Sequence, residues 1–325
     1  MRALDLKDVE VLETRRVDRA PKIGELVGNR FIVRVRGHAG DPRPILARLE
    51  AEGGFPNYFG VQRFGVVRPV THVVGKLICR GDLERAVWTY IANPIAGEQP
   101  EVFEARARLE AERDLRAALK YYPPFLTFER QMIHHLVDRP GDWVGALRAL
   151  PSNLATMFVY AYQSLLFNRV VTARLERGIP LNEPQVGDLV LGLTGDDTPD
   201  RSRFIPVSAD NLEKVRRQCA RGKALVSGVI IGHDVPLASG VQGEIEAAVL
   251  EEAGVTREEF LVPDFPEVAS SGTRREMLAP LGPVTLERGE DANGPYLEYR
   301  FFLNKGTYAT SLLREVLKSP AASYA

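Results

Sequence analysis

The order in which hydrophobic periodicity changes along the chain limits what it can fold into. Near the two ends, apolar residues alternate with polar ones, at Phe31, Val33 and Val35 early and over 296–303 late. Successive strand residues face opposite ways, so a period of two marks half-buried sheet. Between the ends the repeat lengthens: Leu83, Val87, Trp88 and Ile91 recur at helical spacing over 81–92. Residues 101–120 hold strong helix formers with mixed charges and read as one helix with a wide solvated face. A further helix runs through Phe128, Met132 and Leu136, and a long one starts at Ser152 as N-cap and stops at Gly178. Sheet, helical block and sheet again is the pattern of one domain interrupted by another. The 325 residues suffice for both, with 1–74 and 276–325 around an insertion at 75–275.

Within the insertion, strands at 188–193 and 225–231 alternate with helices at 208–220 and 242–252, the helices closed by Gly222 and Gly254. Thr256 and Glu259 have capping-box spacing. Outside it, Asp41-Pro42 opens a helix that buries Ile45, Leu46 and Leu49, and a last helix over 309–318 follows Gly306. The expected class is α+β: a mixed, largely antiparallel sheet interrupted by an inserted α/β domain.

Composition excludes more than it identifies. Two cysteines, Cys79 and Cys219, stand far apart, which rules out a CxxC pair and suits a reducing cytoplasm. No apolar run approaches the roughly 20 residues that span a bilayer, so no membrane partner is expected. The five histidines are scattered. The adjacent pair His134-His135 would point about 100° apart on a helix and could not share a metal. There is no HExxH, Walker A, GxGxxG or GxSxG sequence, so metal, phosphate-loop and serine-hydrolase chemistry have no support. Net charge is −1, yet residues 1–36 hold nine Arg and Lys against six acids. Such local basic clusters are what phosphate contacts use, although a solvated face has the same composition.

Residues 55–65, FPNYFGVQRFG, pack four aromatics, two amides, one arginine and two glycines into 11 positions. Aromatic faces stack on bases, an amide both donates and accepts, and arginine binds phosphate. An aromatic loop that merely fills a core gap would use the same residue types. The pattern itself is more specific: NYFGVQRFG is similar to the second signature of the TruD family of tRNA pseudouridine synthases, NYFG-x-QRFG, and matches every signature position. Weaker similarities follow in family order. They are Gly28-Asn29-Arg30-Phe31, Gln163-Ser164-Leu165-Leu166-Phe167-Asn168, Val186-Gly187-Asp188, Gly272-Thr273-Arg274-Arg275 and Asn304-Lys305-Gly306-Thr307-Tyr308-Ala309-Thr310. The resemblance runs from about residue 6 to 318, and the helices around 95–150 look like the archaeal and eukaryotic branch.

The resemblance implies a pseudouridine-synthase fold and isomerisation of uridine to pseudouridine, at position 13 of tRNA, with no cofactor or metal. The uridine would be flipped out of its stack, and a carboxylate nucleophile would detach the base before it rejoins through carbon. By position, Asn57 would hydrogen-bond the target base, Phe59 would line the pocket, and Tyr308 would stand where the family has a Phe. Arg63, Arg274 and Arg275 would contact RNA, the partner being tRNA or another structured RNA. One departure matters: the family's first signature, with the nucleophilic Asp, has no counterpart here. Asp8, in Leu6-Lys7-Asp8-Val9, lacks the flanking Gly, Ala, Thr and Gln and is rejected. The nucleophile is expected N-terminal to this chain, which alone would be inactive. The competing readings are a non-catalytic RNA-binding protein on the same scaffold and a structural protein whose aromatic loop only packs.

Overall fold

The computed structural model describes residues 13–319 except 21, 23, 24, 39, 196 and 197, so Asp8 lies outside the described residues. Strand β1 (Gly28–Val35) carries the expected alternation. Helix α1 (Arg43–Ala51) begins behind Pro42 and buries Leu46 and Leu49. Gly53, at φ +78°, turns the chain into strand β2 (Gly54–Pro56). The helical block then begins one helix earlier than its periodicity suggests, with α2 (Thr71–Cys79). Helix α2 buries Val74, Gly75, Leu77, Ile78 and Cys79 and leaves the apolar Val73 exposed, so its free side is not marked by polar residues alone. Gly75 packs against the backbone of Phe158, leaving no room for a β-carbon.

Helix α3 (Leu83–Ile91) is capped by Asp82, whose carboxylate accepts from the Arg85 N–H. The helix expected over 101–120 is instead two, α4 (Pro100–Glu112) and α5 (Leu115–Tyr121). Arg113 takes a left-handed conformation, φ +54°, and Asp114 caps α5 through the Ala117 N–H. Nor is the face of α4 wholly solvated. Arg106 is buried, paired with Glu98 at 3.0 Å and Glu129 at 2.7 Å. Helices α6 (Thr127–Asp138), α7 (Trp143–Arg148) and α8 (Ser152–Glu176) complete the block, with Pro151 rather than Ser152 in the cap position of α8. No described helix is long and apolar enough to cross a membrane.

The remaining elements are β3 (Leu189–Leu193), β4 (Pro199–Pro206), α9 (Leu212–Ala220), β5 (Ala224–Ile230), α10 (Gly240–Ala253), β6 (Thr273–Glu276), β7 (Leu278–Pro280), β8 (Thr285–Asp291), β9 (Gly294–Asn304) and α11 (Ala309–Leu317). The sheets run β1-β9-β8, β2-β7 and β4-β3-β5-β6. Every strand pair among the described residues is antiparallel, so the mixed sheet expected from sequence is here an antiparallel one. The inserted strands pair in the same sense, because each neighbour returns past the last.

Three apolar cores organise these elements. One gathers Leu46, Leu49, Phe55, Tyr299, Phe301, Leu303, Leu312 and Val316 under the β1-β9-β8 sheet. A larger one fills the helical block and reaches β5 and α10. The third, around Phe167, Val171, Val190, Val226, Met277 and Leu278, joins the other two and carries Tyr58 and Phe59 at its edge. Each large buried side chain contributes about 1.5–3 kcal/mol of transfer free energy, so the aromatic loop is anchored on a packed base. Two enclosed ion pairs tie the inserted sheet to its helices, Arg174–Asp188 and Arg274–Glu246, each at 2.8 Å.

Candidate functional site

The loop after β2 is held by bonds to its backbone, leaving the aromatic side chains to face their surroundings. The Asn57 N–H donates to the Met277 carbonyl at 2.8 Å. Asn168, on α8, grips Phe59 from both sides of its peptide. Its Oδ1 accepts from the Phe59 N–H at 2.9 Å and its Nδ2 donates to the Phe59 carbonyl at 3.0 Å. Ser311 Oγ donates to the Tyr58 carbonyl at 2.9 Å, and Thr310 Oγ1 to Gln62 Oε1 at 2.9 Å. These last bonds stitch the loop to the start of α11. Gly60 is required there, because a β-carbon would lie 2.9 Å from the Tyr308 ring and closer still to Thr310.

The structure therefore brings residues from opposite ends of the chain together. The Phe59 and Tyr308 ring centroids are 5.9 Å apart at 63°, and Phe59 meets Phe167 edge-on at 5.6 Å. The Arg275 guanidinium lies 4.3 Å from the Phe59 centroid and that of Arg63 lies 5.7 Å away. Arg63 is steadied by donation from its Nε to Ser164 Oγ at 3.1 Å. Tyr308 precedes α11, in the turn that Gly306 makes at φ +80°.

Asn57 and Arg274 both turn toward protein partners. Asn57 is fully buried and both ends of its amide are occupied. Its Nδ2 donates to the Glu276 carbonyl and to Glu276 Oε1, each at 3.0 Å, and its Oδ1 accepts from Arg275 at 2.6 Å. In this arrangement it bridges Arg275 and Glu276. Arg274 is likewise not placed to touch RNA. Neighbouring strand residues face opposite sides, so Arg275 turns toward Phe59 while Arg274 turns inward. There it donates to Ser227, Pro236 and Glu246, with 1% of its surface exposed.

Arg275 is itself buried, with Nη2 donating to Asn57 Oδ1 and to the Gly306 carbonyl at 2.8 Å. Its Nε has no partner among the described residues. Burial is the main influence pushing its pKa down, to about 10; Arg201 and Arg63 push the same way and Glu276 opposes them. It still carries its charge at neutral pH. Glu276 and Arg201 were not foreseen. Glu276 is enclosed and receives Arg201 Nη2 at 2.8 Å, although the two stand on β6 and β4, opposite edges of one sheet. Their sequence separation of 75 leaves no local signal for that pairing. Asn168 and Phe167 lie in the QSLLFN stretch singled out by similarity, but only the structure shows them clamping and supporting Phe59.

A cavity of about 910 Å³ lies elsewhere, lined by Glu52, Asn182, Arg216, Cys219, Leu278 and Asn304 among others; it shares no residue with the aromatic pair. Among the described residues no three His, Cys, Asp or Glu side chains gather as a metal site.

Comparison with known proteins agrees with this geometry. The family profile described as tRNA pseudouridine synthase D (TruD) matches residues 1–316. A protein of Methanococcoides burtonii named "Probable tRNA pseudouridine synthase D" is 41% identical over 322 residues, covering 96% of this chain and 73% of the relative. One of the same name from Thermococcus gammatolerans is 38% identical over 325 residues, covering 97% and 75%. A crystal structure of tRNA pseudouridine synthase D (TruD) from Methanosarcina mazei superposes with a TM-score of 0.86 at 39% identity, covering 99% of this chain and 76% of that one.

Proposed function

This chain belongs to the TruD family of tRNA pseudouridine synthases, and on that premise we propose that it forms the pocket in which a uridine of tRNA, at position 13, is isomerised to pseudouridine. The observation that carries the reading is the meeting of Phe59 and Tyr308, 249 positions apart in sequence, with Arg275 behind them. Stacking on such rings compensates for the base stacking lost on extrusion, a cost of a few kcal/mol. Tyr308 keeps the ring its position calls for and adds a hydroxyl.

In this proposal the pseudouridine-synthase unit is 1–74 with 276–325, and 75–275 is the insertion. The reaction breaks the bond from N1 of uracil to C1′ and makes one from C5 to C1′, with a proton lost at C5 and one gained at N1. It balances as an isomerisation and calls for no oxidant or cofactor. Arg63 and Arg275 supply positive charge at the pocket, while Asn57 positions Arg275 and Glu276. Glu276, the carboxylate bonded to Asn57 beneath the pocket, is committed to Arg201 and Asn57. That commitment also favours a second reading, a non-catalytic RNA-binding protein on the same scaffold.

The test is pseudouridine mapping on a tRNA transcript incubated with the protein and with its Phe59→Ala variant. We expect one modified uridine with the unaltered protein and at least a hundredfold slower modification with Phe59→Ala. Modification unaffected by Phe59→Ala would remove the pocket assignment. RNA binding without modification by the unaltered protein would establish the second reading.

A further inference from the structure

The pocket holds more positive charge than its own side chains answer. Arg63 and Arg275 lie against Phe59, Arg201 lies with Arg275 beside Gly306, and among the described residues Glu276 is the carboxylate bonded to Arg201. Arg275, 4% exposed, uses only Nη2 on protein acceptors, and its Nε is buried without a partner. A buried donor left unmatched costs about 1–3 kcal/mol, more when charged, so such a group points to an acceptor that arrives with a ligand. Gly306 lies on the Nη1 side of the same guanidinium, and Nη1 has no acceptor among the described residues. A β-carbon there would lie 3.7 Å from Arg275 Nη1 and 4.0 Å from Arg201 Nη2, and φ +80° disfavours any residue that would place one. The glycine thus leaves open space between two guanidinium groups, at the turn leading into Tyr308.

Resting on the pocket reading above, we propose that this space beside Gly306 is a phosphate seat, in which Arg201 and Arg275 hold a phosphate group of the same nucleotide whose base meets Phe59 and Tyr308. Paired planar guanidinium groups suit phosphate oxygens, which accept two parallel N–H bonds. Arg201 keeps 38% of its side chain exposed, so the seat opens to solvent and suits a ligand that docks from outside. The anchoring of Arg201 on Glu276 fixes its direction before the ligand arrives, which lowers the ordering cost of binding. A carboxylate is the competing occupant.

The experiment compares uridine with its 5′- and 3′-monophosphates, and with acetate as a carboxylate probe, by calorimetric titration of the protein and its Arg201→Gln and Arg201→Lys variants at low salt. One charge-assisted contact corresponds to roughly tenfold in affinity, so one monophosphate should bind about tenfold more tightly than uridine. Arg201→Gln should reduce that ratio to about threefold or less, Arg201→Lys should restore part of it, and inorganic phosphate should compete with the monophosphate but not with uridine. Equal affinities, no detectable monophosphate binding, or a common loss for all ligands in Arg201→Gln overturns the seat. So does competition by acetate as strong as that by inorganic phosphate, which would assign the space to a carboxylate. Phe59→Leu separates the two levels. If it weakens uridine while the phosphate adds nothing, the seat alone fails; if it changes neither ligand, the pocket reading fails too.

Discussion

Replacing Asn57 by Ala separates a bridge from a base reader. The substitution deletes three hydrogen bonds, two of them to charged groups: Nδ2 to Glu276 Oε1, Nδ2 to the Glu276 carbonyl, and Arg275 Nη2 to Oδ1. Glu276 Oε1 keeps Arg201 and Arg275 Nη2 keeps the Gly306 carbonyl, so neither charge is stranded. The Glu276 carbonyl loses its amide donor, and Arg275, whose Nε already lacks a partner, loses its best acceptor. At about 1–3 kcal/mol for an unsatisfied buried group and 1.5–3 kcal/mol for a bond to a charge, partly offset by relaxation, the net loss comes to roughly 3–4 kcal/mol. With a urea slope of about 3 kcal/mol/M, the unfolding midpoint should fall by roughly 1 M. Uridine affinity should fall as well, because Arg275 is no longer fixed against Phe59. If Asn57 instead read the base directly, the variant would lose uridine binding and keep the wild-type midpoint, and that result would refute the bridge.

Other expectations follow from the same coordinates. Gly75→Ala should destabilise by about 1–3 kcal/mol through overpacking against Phe158, although helix propensity alone predicts a gain of nearly 1 kcal/mol; thermal melting decides the sign. Arg274→Met should lower stability by about 3–5 kcal/mol by stranding Glu246, with the salt slope of RNA binding unchanged; a shallower slope would return Arg274 to the RNA surface. Burial first, and Arg169 second, hold His72 below its ordinary pKa. Its neutral form is favoured in the folded state, so the stability it contributes is present above about pH 6.5 and lost as pH falls through the depressed value; melts from pH 8 to 5 should flatten in His72→Gln. Burial also raises the Cys79 thiol and lifts Cys219 to about 11. At pH 8, alkylation should therefore be slow at Cys219 and limited by unfolding at Cys79, as mass spectrometry of the labelled protein would show.

Much of the framework was legible in the sequence because its signals were local. Alternation in β1 and β9, the Gly178, Gly222 and Gly254 stops, and the helix behind Gly306 all lie where their residue patterns put them. Helix α2 escapes a periodicity reading because it is only nine residues long and carries the apolar Val73 on its exposed side. The break between α4 and α5 was missed because Arg113 adopts a left-handed turn without the glycine or proline that usually announces one. Strand β4 escaped notice because its residues are largely exposed and follow no apolar alternation. At the site, residue types identified the right loop but not the direction of its side chains. Asn57 turns down rather than up, and Arg274 and Arg275 part company because a strand sends neighbours to opposite faces. The Arg201–Glu276 contact depends on how the inserted sheet brings its edges together, which no short stretch of sequence encodes.

That sheet has an implication for engineering the protein. Strand β6 crosses the end of the insertion proposed at 75–275, and Arg275 and Glu276 at its end are both bonded to Asn57 in the aromatic loop. That segment is therefore not a cassette that can be cut out at its two junctions. Splicing 74 directly to 276 would delete Arg275, the α8 clamp on Phe59 and the Arg201 tie in one step. Trimming is better directed at α4 to α7, whose side chains make none of the described bonds to loop 57–65, than at the strands that return the chain to Met277.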